Sequence, residues 1–213
     1  MTFHPEILEG AQAQVLRQLA HCVSPRQFYL GGGTALAIHL GHRHSVDLDW
    51  FTPGNIPDPL RLAQELRDEG VPFITGSIER GTLHGMMETV RVSFMEYHYP
   101  LLEPSKFWPE FACPLASITD LACMKLSAVA QRGSRKDFID IYAIGNNNLS
   151  LKEMLSFYQR KYSVKDISHV LYGLSYFDDA EREISPKLLL DTEWKIVKKS
   201  IRELVREVAG QHA

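Results

Sequence analysis

The sequence has few cysteines, no long apolar run and no basic leader. Its three cysteines, Cys22, Cys113 and Cys123, form no C-x-x-C pair, which argues against a disulfide framework or a structural zinc site and favours a reducing cytoplasm. The longest apolar runs are far shorter than a bilayer span, so no transmembrane helix is expected. The first ten residues contain two glutamates and neither lysine nor arginine, so we do not expect a secretory signal.

The chain also has no excess of positive charge. The net charge of the 213 residues is -3 with neutral histidines. Residues 1–115 carry 8 Lys or Arg against 13 Asp or Glu, whereas residues 116–213 carry 15 against 13. Proteins that bind DNA through its phosphates are usually basic, so we expect neither nonspecific nor sequence-specific DNA binding. The acidic half is the better place for a metal site, and the mildly basic half for a polyanionic partner.

Hydrophobic periodicity divides the chain into an α/β part and a helical part. In the first part it predicts helices at 5–23, 34–40 and 60–69 and strands at 28–30, 46–51, 73–79, 83–88 and 90–97. Four prolines (Pro100, Pro104, Pro109 and Pro114) then punctuate a connector that we take as the domain boundary.

Beyond this connector every pattern is helical. Helices are predicted at 119–131, 135–144, 151–162, 164–176 and 192–208. Ser134, Ser150 and Ser163 stand where N-caps are expected. The predicted architecture is an α/β domain of residues 1–115, with a small mixed sheet and flanking helices, followed by a helical bundle of residues 116–213.

A glycine-rich turn joins the strand at 28–30 to the next helix. Gly31, Gly32 and Gly33 place free backbone N–H groups and the positive end of a helix dipole at one point. Glycine is suited to this position because a side chain would hold the backbone away from phosphate oxygens. The turn predicts a phosphate site, although similar turns are common in α/β proteins that bind nothing there.

Two aspartates follow in the sequence Asp47-Leu48-Asp49. Alternate residues of a strand point to the same face, roughly 6.5–7 Å apart along the chain. Two carboxylates at this spacing can bind hard divalent cations, which in turn bind triphosphate oxygens. An isolated Asp-x-Asp is also typical of a solvated strand face, so the pair needs further support.

That support comes from a resemblance to known families. A Gly-Thr turn followed by an acidic pair resembles the signature of the polymerase-β-like nucleotidyltransferases. The longer string GGTALAIHLGHRHSVDLDWF is similar to the first motif of the AbiEii/AbiGii abortive-infection toxin family. Every position of that motif is filled, by Gly32, Gly33, Thr34, Ala35, Leu36, Gly41, Arg43, Ser45, Asp47, Leu48, Asp49 and Phe51.

A second block, TDLACMKLSAVAQRGSRKDFIDIY at 119–142, is similar to the later motif of the same family. The matching positions are Lys125, Arg132, Lys136, Asp137 and Asp140. From periodicity alone, Asp137 and Asp140 would lie on a solvent face, opposite an apolar stripe. The two blocks and the strands between them cover about 115 residues, whereas the last 65 or so rest on helical pattern alone.

The resemblance implies a nucleotidyltransferase fold and transfer of a nucleotidyl group from an NTP to a hydroxyl of RNA or protein. It implies that Gly32, Gly33 and Thr34 bind phosphates, that Asp47 and Asp49 bind Mg²⁺ or Mn²⁺, and that Lys125 neutralises the triphosphate. Asp137 would orient or activate the attacking hydroxyl, and Asp140 would serve hydrogen bonding or helix pairing.

The resemblance also implies partners. The protein would be the cytoplasmic toxin of a toxin–antitoxin pair, with an antitoxin protein as its partner and no association with a membrane. Arg43 and Ser45 flank the approach to the acidic strand. Arg43 either contacts phosphate or pairs with Asp47 or Asp49.

One departure from the superfamily pattern leaves alternatives open. These enzymes usually carry a third carboxylate on a later strand, and the matching outward position here is Ser93. A binding module that holds nucleotide without catalysis is therefore one alternative, and a phosphotransferase on the same scaffold is another.

Two further clusters, one of histidines and one of basic residues, suggest other kinds of site. His39, His42 and His44 suggest zinc but have no clear further ligand. A basic stripe on the last helix could contact RNA but is more typical of plain solvation, and it consists of Lys195, Lys199, Arg202 and Arg206.

Overall fold

The computed structural model describes residues 2–147 and 149–210. Seven strands form one mixed sheet. They are β1 (Tyr29–Leu30), β2 (Leu48–Thr52), β3 (Ile74–Glu79), β4 (Thr82–Met87), β5 (Val90–Glu96), β6 (Lys106–Trp108) and β7 (Cys113–Leu115). Their order across the sheet is β3-β4-β5-β2-β1-β7-β6.

The helices precede, interrupt and follow the sheet. They are α1 (Gly10–Val23), α2 (Gly32–Leu40), α3 (Pro59–Asp68), α4 (Ile118–Gln131), α5 (Arg135–Gly145), α6 (Leu151–Tyr162), α7 (Ser168–Ser175), α8 (Asp178–Glu181) and α9 (Trp194–Gly210). In the described part of the chain, no helix is both long and apolar enough to cross a membrane.

The centre of the sheet brings the two motif strands together. β2 runs parallel to β5 and antiparallel to β1. Leu48 and Trp50 on β2 pair in register with Val92 and Phe94 on β5, and all four side chains are fully buried. The alternate residues, including Asp49, face the other side, as strand alternation requires. One face of the sheet is therefore core, and the other is available for a site.

The helical region is joined closely to the sheet. β7 runs parallel to β1 and ends at Leu115, and α4 begins three residues later behind the N-cap Ser117. The helix α4 packs against α2, α5, α6 and α7. This short connection delivers α4 to the same side of the sheet as α2.

The predicted architecture of a mixed sheet with flanking helices is confirmed, and the local structure differs from the sequence patterns at two places. The proline-punctuated connector contains β6 and β7, which pair with each other as Phe107 with Pro114. These strands are too short to show a clear periodicity of two. Ser163 is not an N-cap, because it ends α6 with φ 54°, and α7 begins only at Ser168.

Candidate active site

The glycine turn places the start of α2 directly against the acidic strand. The Gly31 N–H donates to the Asp49 carbonyl oxygen at 2.8 Å. Gly32 has φ +64°, and a Cβ there would lie 2.5 Å from Asp49 Oδ2. A Cβ on Gly33 would lie 2.6 Å from Arg43 Nη2. The turn therefore excludes side chains, and the positive end of the α2 dipole faces the same space as Asp49.

Thr34 holds the backbone rather than facing this space. Its side chain is buried, and its hydroxyl contacts the Asp47 carbonyl oxygen and, at 2.9 Å, the Ser45 hydroxyl. Because a hydroxyl has one proton, Thr34 donates to the carbonyl and accepts from Ser45. Thr34 thus ties α2 to the chain entering β2, whereas Ser45 lines the cleft described below.

Asp47 and Asp49 both face the cleft, and their surroundings suit a cation. Among the described residues, Asp47 Oδ1 is buried without a hydrogen-bond partner, and the cation nearest to it, Arg91 Nε, is 3.7 Å away. Burial, reinforced by the neighbouring Asp47, raises the pKa of the Asp49 carboxyl. An unpaired buried oxygen and two carboxylates that repel each other are what a bound divalent ion would compensate.

Lys125 enters the cleft from α4 and is anchored from behind by α5. Its side chain is almost fully buried, and its Nζ lies 2.9 Å from Asp137 Oδ1 and 2.7 Å from Asp140 Oδ2. Burial disfavours the charged ammonium, but these carboxylates outweigh it and raise the pKa of Lys125. Lys125 is therefore a fixed cation on the cleft wall.

Asp137 lies behind this wall and does not line the cleft. Its buried carboxylate accepts hydrogen bonds from Lys125 at 2.9 Å, from Arg132 Nε at 2.9 Å and from the Ser134 hydroxyl at 2.7 Å. Burial alone would favour the neutral acid, but Lys125 and these donors outweigh it, so the pKa of Asp137 is lowered. The prediction that Asp137 lies on a solvent face is wrong, because α5 is buried on the side of Asp137 as well as along its apolar stripe.

Asp140 holds a second buried cluster, one turn further along α5. It accepts two bonds from Arg43, Nε to Oδ1 at 2.6 Å and Nη2 to Oδ2 at 2.9 Å. His42 Nε2 lies 2.8 Å from Oδ1. Arg43 therefore pairs with Asp140 rather than with Asp47 or Asp49. The pairing joins α5 to the loop after α2, in line with the helix-pairing role expected of Asp140.

Replacing Asp140 with asparagine should cost about 3–5 kcal/mol at neutral pH, because Arg43 and Lys125 lose a buried counter-charge. These cations hold the pKa of Asp140 well below its usual range. As pH falls below about 4, Asp140 therefore becomes protonated in the unfolded chain while it stays ionised in the folded protein. The contribution of the ionised Asp140 to the free energy of unfolding is then lost. The difference in the free energy of unfolding between wild type and the variant, measured by urea unfolding, should shrink over that range.

The exposed Asp68→Asn on α3 is the control for that measurement, and its stability should stay near wild type. A deficit of Asp140→Asn that grows on acidification would contradict the assignment.

The three neighbouring histidines are each engaged by the protein. His39 Nε2 lies 2.9 Å from the Ala116 carbonyl, and His44 Nδ1 lies 3.1 Å from that of Ile7. His42 bonds Asp140, as described above. Among the described residues, no group of three or more His, Cys, Asp or Glu side chains is arranged to hold a metal ion. The three rings thus have separate partners.

The glycine turn, the acidic pair and Lys125 line one cleft of about 640 Å³. Of the predicted site residues, it is lined by Gly32, Gly33, Arg43, Ser45, Asp47, Asp49 and Lys125, whereas Thr34 and Asp137 lie behind it. One part of its wall is apolar, formed by Phe51, Met95, Met124 and Ala128. The basic residues Arg132, Lys136 and Lys187 border another part. The four basic residues of the α9 stripe do not line it and are exposed.

Sequence reasoning missed several members of this lining. Pro186 and Lys187 belong to a segment without predicted structure, which crosses the loop after α2. There the His44 N–H donates to the Lys187 carbonyl at 2.9 Å, and Arg43 pairs with Leu188 as an isolated bridge. His84 on β4 was also missed, although its alternation with Leu83 and Gly85 could have placed it on the polar face of the sheet.

A glycine turn, an acidic pair and a buried lysine around a mixed sheet define a protein of the nucleotidyltransferase fold, and solved structures agree. MenT4, a nucleotidyltransferase toxin of Mycobacterium tuberculosis, superposes with a TM-score of 0.53 at 15% identity, over 91% of this chain and 84% of that one. An antigenic nucleotidyltransferase-like protein of Paracoccidioides brasiliensis superposes with a TM-score of 0.51 at 17% identity, over 81% and 94%. At these identities the likeness concerns the fold alone.

The family follows from the sequence itself. The family model described as nucleotidyl transferase AbiEii toxin, type IV toxin–antitoxin system, matches residues 14–100 and 85–209. The chain therefore belongs to the AbiEii family of nucleotidyltransferase toxins. An uncharacterized protein of Aquifex aeolicus (strain VF5) is 34% identical over 203 residues, which cover 94% of this chain and 97% of the relative.

Proposed function

We propose that the protein transfers a nucleotidyl group from an NTP to a hydroxyl of RNA, with pyrophosphate as the leaving group. One observation carries this proposal: the acidic pair and the buried Lys125 line a single cleft at the N-terminus of α2. A cleft lined by both acidic and basic side chains suits a triphosphate, which needs both a bound cation and direct neutralisation. Chemistry of this kind depends on positioning and on charge stabilisation rather than on covalent work by side chains.

The phosphates would lie against Gly32 and Gly33, where the backbone is not shielded by side chains. Asp47 and Asp49 would hold the magnesium ion, which supplies charge neutralisation to the triphosphate when bound. Lys125 would bind a phosphate oxygen from the wall formed by α4. The exposed Arg132 and Lys136 extend the positive charge along that wall, and the Phe51, Met95 and Met124 side chains would contact the base.

Asp137 is better suited to positioning than to proton transfer. All of its hydrogen-bond donors are charged or hydroxyl groups of the protein, and its lowered pKa makes it a weak base. It holds Lys125 on the cleft side and Arg132 at the rim, both of which line the cleft. We therefore assign to Asp137 the orientation of these two cations.

The choice of an RNA acceptor rests on the basic border of the cleft. Arg132, Lys136 and Lys187 stand at its edge, where a polyanion entering the cleft would meet them. A protein hydroxyl remains the alternative acceptor. As a member of a family of toxins of toxin–antitoxin systems, the protein would act in the cytoplasm and be opposed by an antitoxin protein.

A second candidate is a module that binds nucleotide without transferring it. Ser93 favours it, because its backbone pairs in register with Asp49 where the superfamily usually has a third carboxylate.

Incubation with Mg²⁺, each α-labelled NTP and total tRNA separates these functions. Label in RNA supports nucleotidyl transfer, and label in a protein band instead identifies a protein acceptor. Transfer of label from γ-labelled NTP alone would indicate a phosphotransferase on the same scaffold. Saturable NTP binding without any transfer would leave the binding module as the function.

A further inference from the structure

A serine and a histidine occupy the strand positions next to the acidic pair. In the register of β2 and β5, Asp49 stands opposite Ser93, and in that of β5 and β4, Ser93 stands opposite His84. Neighbouring strands are about 4.8 Å apart, so the three residues form a row across one face of the sheet. All three line the cleft.

The serine and the histidine are bonded to each other. His84 Nδ1 lies 2.9 Å from Ser93 Oγ. A neutral imidazole carries one proton, and a serine hydroxyl can either accept from an Nδ1–H or donate to a bare Nδ1. If Nδ1–H donates to Ser93 Oγ, Nε2 keeps a free electron pair and can accept a proton.

Resting on the proposed nucleotidyl transfer, we infer that His84 is the proton acceptor of the reaction and that Ser93 is the positioning residue that holds its ring in place. The acceptor oxygen forms a bond to the α-phosphorus, and the bond from that phosphorus to the bridging oxygen breaks. Its electron pair leaves with pyrophosphate. The hydroxyl proton passes to His84 Nε2 and is later released to water.

The other acceptors of the described cleft are less well placed. Asp47 and Asp49 are assigned to the cation, and Asp137 and Asp140 are saturated by buried donors behind the wall. Glu9 and His44 line the cleft but lie outside the three-strand row, Glu9 as the N-cap of α1 and His44 in the loop after α2. His84 alone among these stands beside the position of the missing carboxylate.

The first test compares His84→Gln with wild type, using labelled NTP, Mg²⁺ and total tRNA. General-base catalysis contributes about 10²–10⁴-fold, so kcat should fall at least about 10²-fold while KM for NTP stays within about twofold. The matched control is His21→Gln, because His21 lies on the exposed side of α1 outside the cleft, and its rate should not change. Imidazole added to His84→Ala should restore part of the lost rate.

The second test examines the serine. Ser93→Ala should lower kcat about tenfold with KM unchanged, since a ring without its anchor holds the competent orientation and tautomer in a smaller fraction of molecules. Nitrogen-15 shifts of the His84 ring, assigned by loss of the signal in His84→Gln, should show the proton on Nδ1 in wild type and a mixed tautomer in Ser93→Ala. The double variant His84→Ala with Ser93→Asp places a carboxylate in register with Asp49. It should be more active than the single variant His84→Ala.

The outcomes separate this inference from the proposed function. Labelling by wild type and by His84→Gln at equal rates would overturn the role of His84 and leave nucleotidyl transfer standing. A loss confined to His44→Gln would also overturn it, by moving the proton acceptor to the loop after α2. If wild type labels neither RNA nor protein, the proposed function fails and this inference fails with it.

Discussion

Replacing Lys125 with methionine is expected to lower nucleotidyl transfer by about 10²–10³-fold, the usual cost of removing one fixed electrostatic contact to a transition state. Methionine fills a similar volume but carries no charge, so the cleft that contains Asp47 and Asp49 loses its buried cation. The same change should cost about 3–5 kcal/mol of stability, because Asp137 and Asp140 stay buried with fewer partners. Steady-state transfer and urea unfolding measure the two effects.

The chain offers a matched control for this substitution. Lys161 on α6 is also buried, and its Nζ lies 2.7 Å from Asp120 Oδ1 and 2.7 Å from the Pro100 carbonyl oxygen. It does not line the cleft. Lys161→Met should cost a similar amount of stability but leave transfer per folded molecule unchanged. Equal losses of activity in both variants would mean that Lys125 acts through folding alone.

The double change Asp47→Asn with Asp49→Asn should reduce transfer by at least about 10³-fold. A bound cation contributes several kcal/mol of charge stabilisation to phosphoryl chemistry, and each 1.4 kcal/mol is about tenfold in rate. The fold should survive, since two repelling carboxylates are removed and the raised pKa of Asp49 shows that its charge is disfavoured in the folded protein. The melting temperature, measured without metal, should be equal to or above that of wild type.

A retained rate in this double variant would contradict the assignment of the acids. A collapse of the melting temperature would mean instead that the acids are structural. The single variant Asp58→Asn serves as control, because Asp58 caps α3 and lies outside this cleft.

The sequence predicted the site best where a motif combines with strand periodicity. Asp49 faces away from Leu48 and Trp50 because strand alternation leaves no other choice. Ser93 could be assigned to the position of the third carboxylate for the same reason, since Val92 and Phe94 had to enter the core. Gly32 and Gly33 were predicted from the glycine turn and the motif, and in the structure a side chain at either position would collide with Asp49 or with Arg43.

Ion pairs and hydrogen bonds between residues far apart in the sequence could not be predicted in the same way. The periodicity of α5 suggested that Asp137 and Asp140 face solvent, yet both are fully buried. Their cations come from α4 and from the loop after α2, and a local pattern carries no information about such contacts. The segment at Lys187 was missed for a related reason, since its backbone bonds go to His42 and His44 rather than to a neighbouring strand.

The short strands of the connector were also missed because they depend on contacts between distant segments. β6 and β7 have only three residues each and are held by tertiary pairing, with Leu30 of β1 pairing with Leu115. Three residues give too few alternations for a strand to be recognised from sequence.

The central claim is that Asp47 and Asp49 hold a divalent cation against the phosphates of an NTP. Calorimetric titration of a non-hydrolysable NTP analogue, with Mg²⁺ and with EDTA, tests it most directly in wild type and in the double Asp→Asn variant. Wild type should bind the analogue at least about tenfold more tightly with Mg²⁺, and the double variant should bind it equally in both buffers. A double variant that keeps the full magnesium dependence would contradict the claim and move the cation away from this acidic pair.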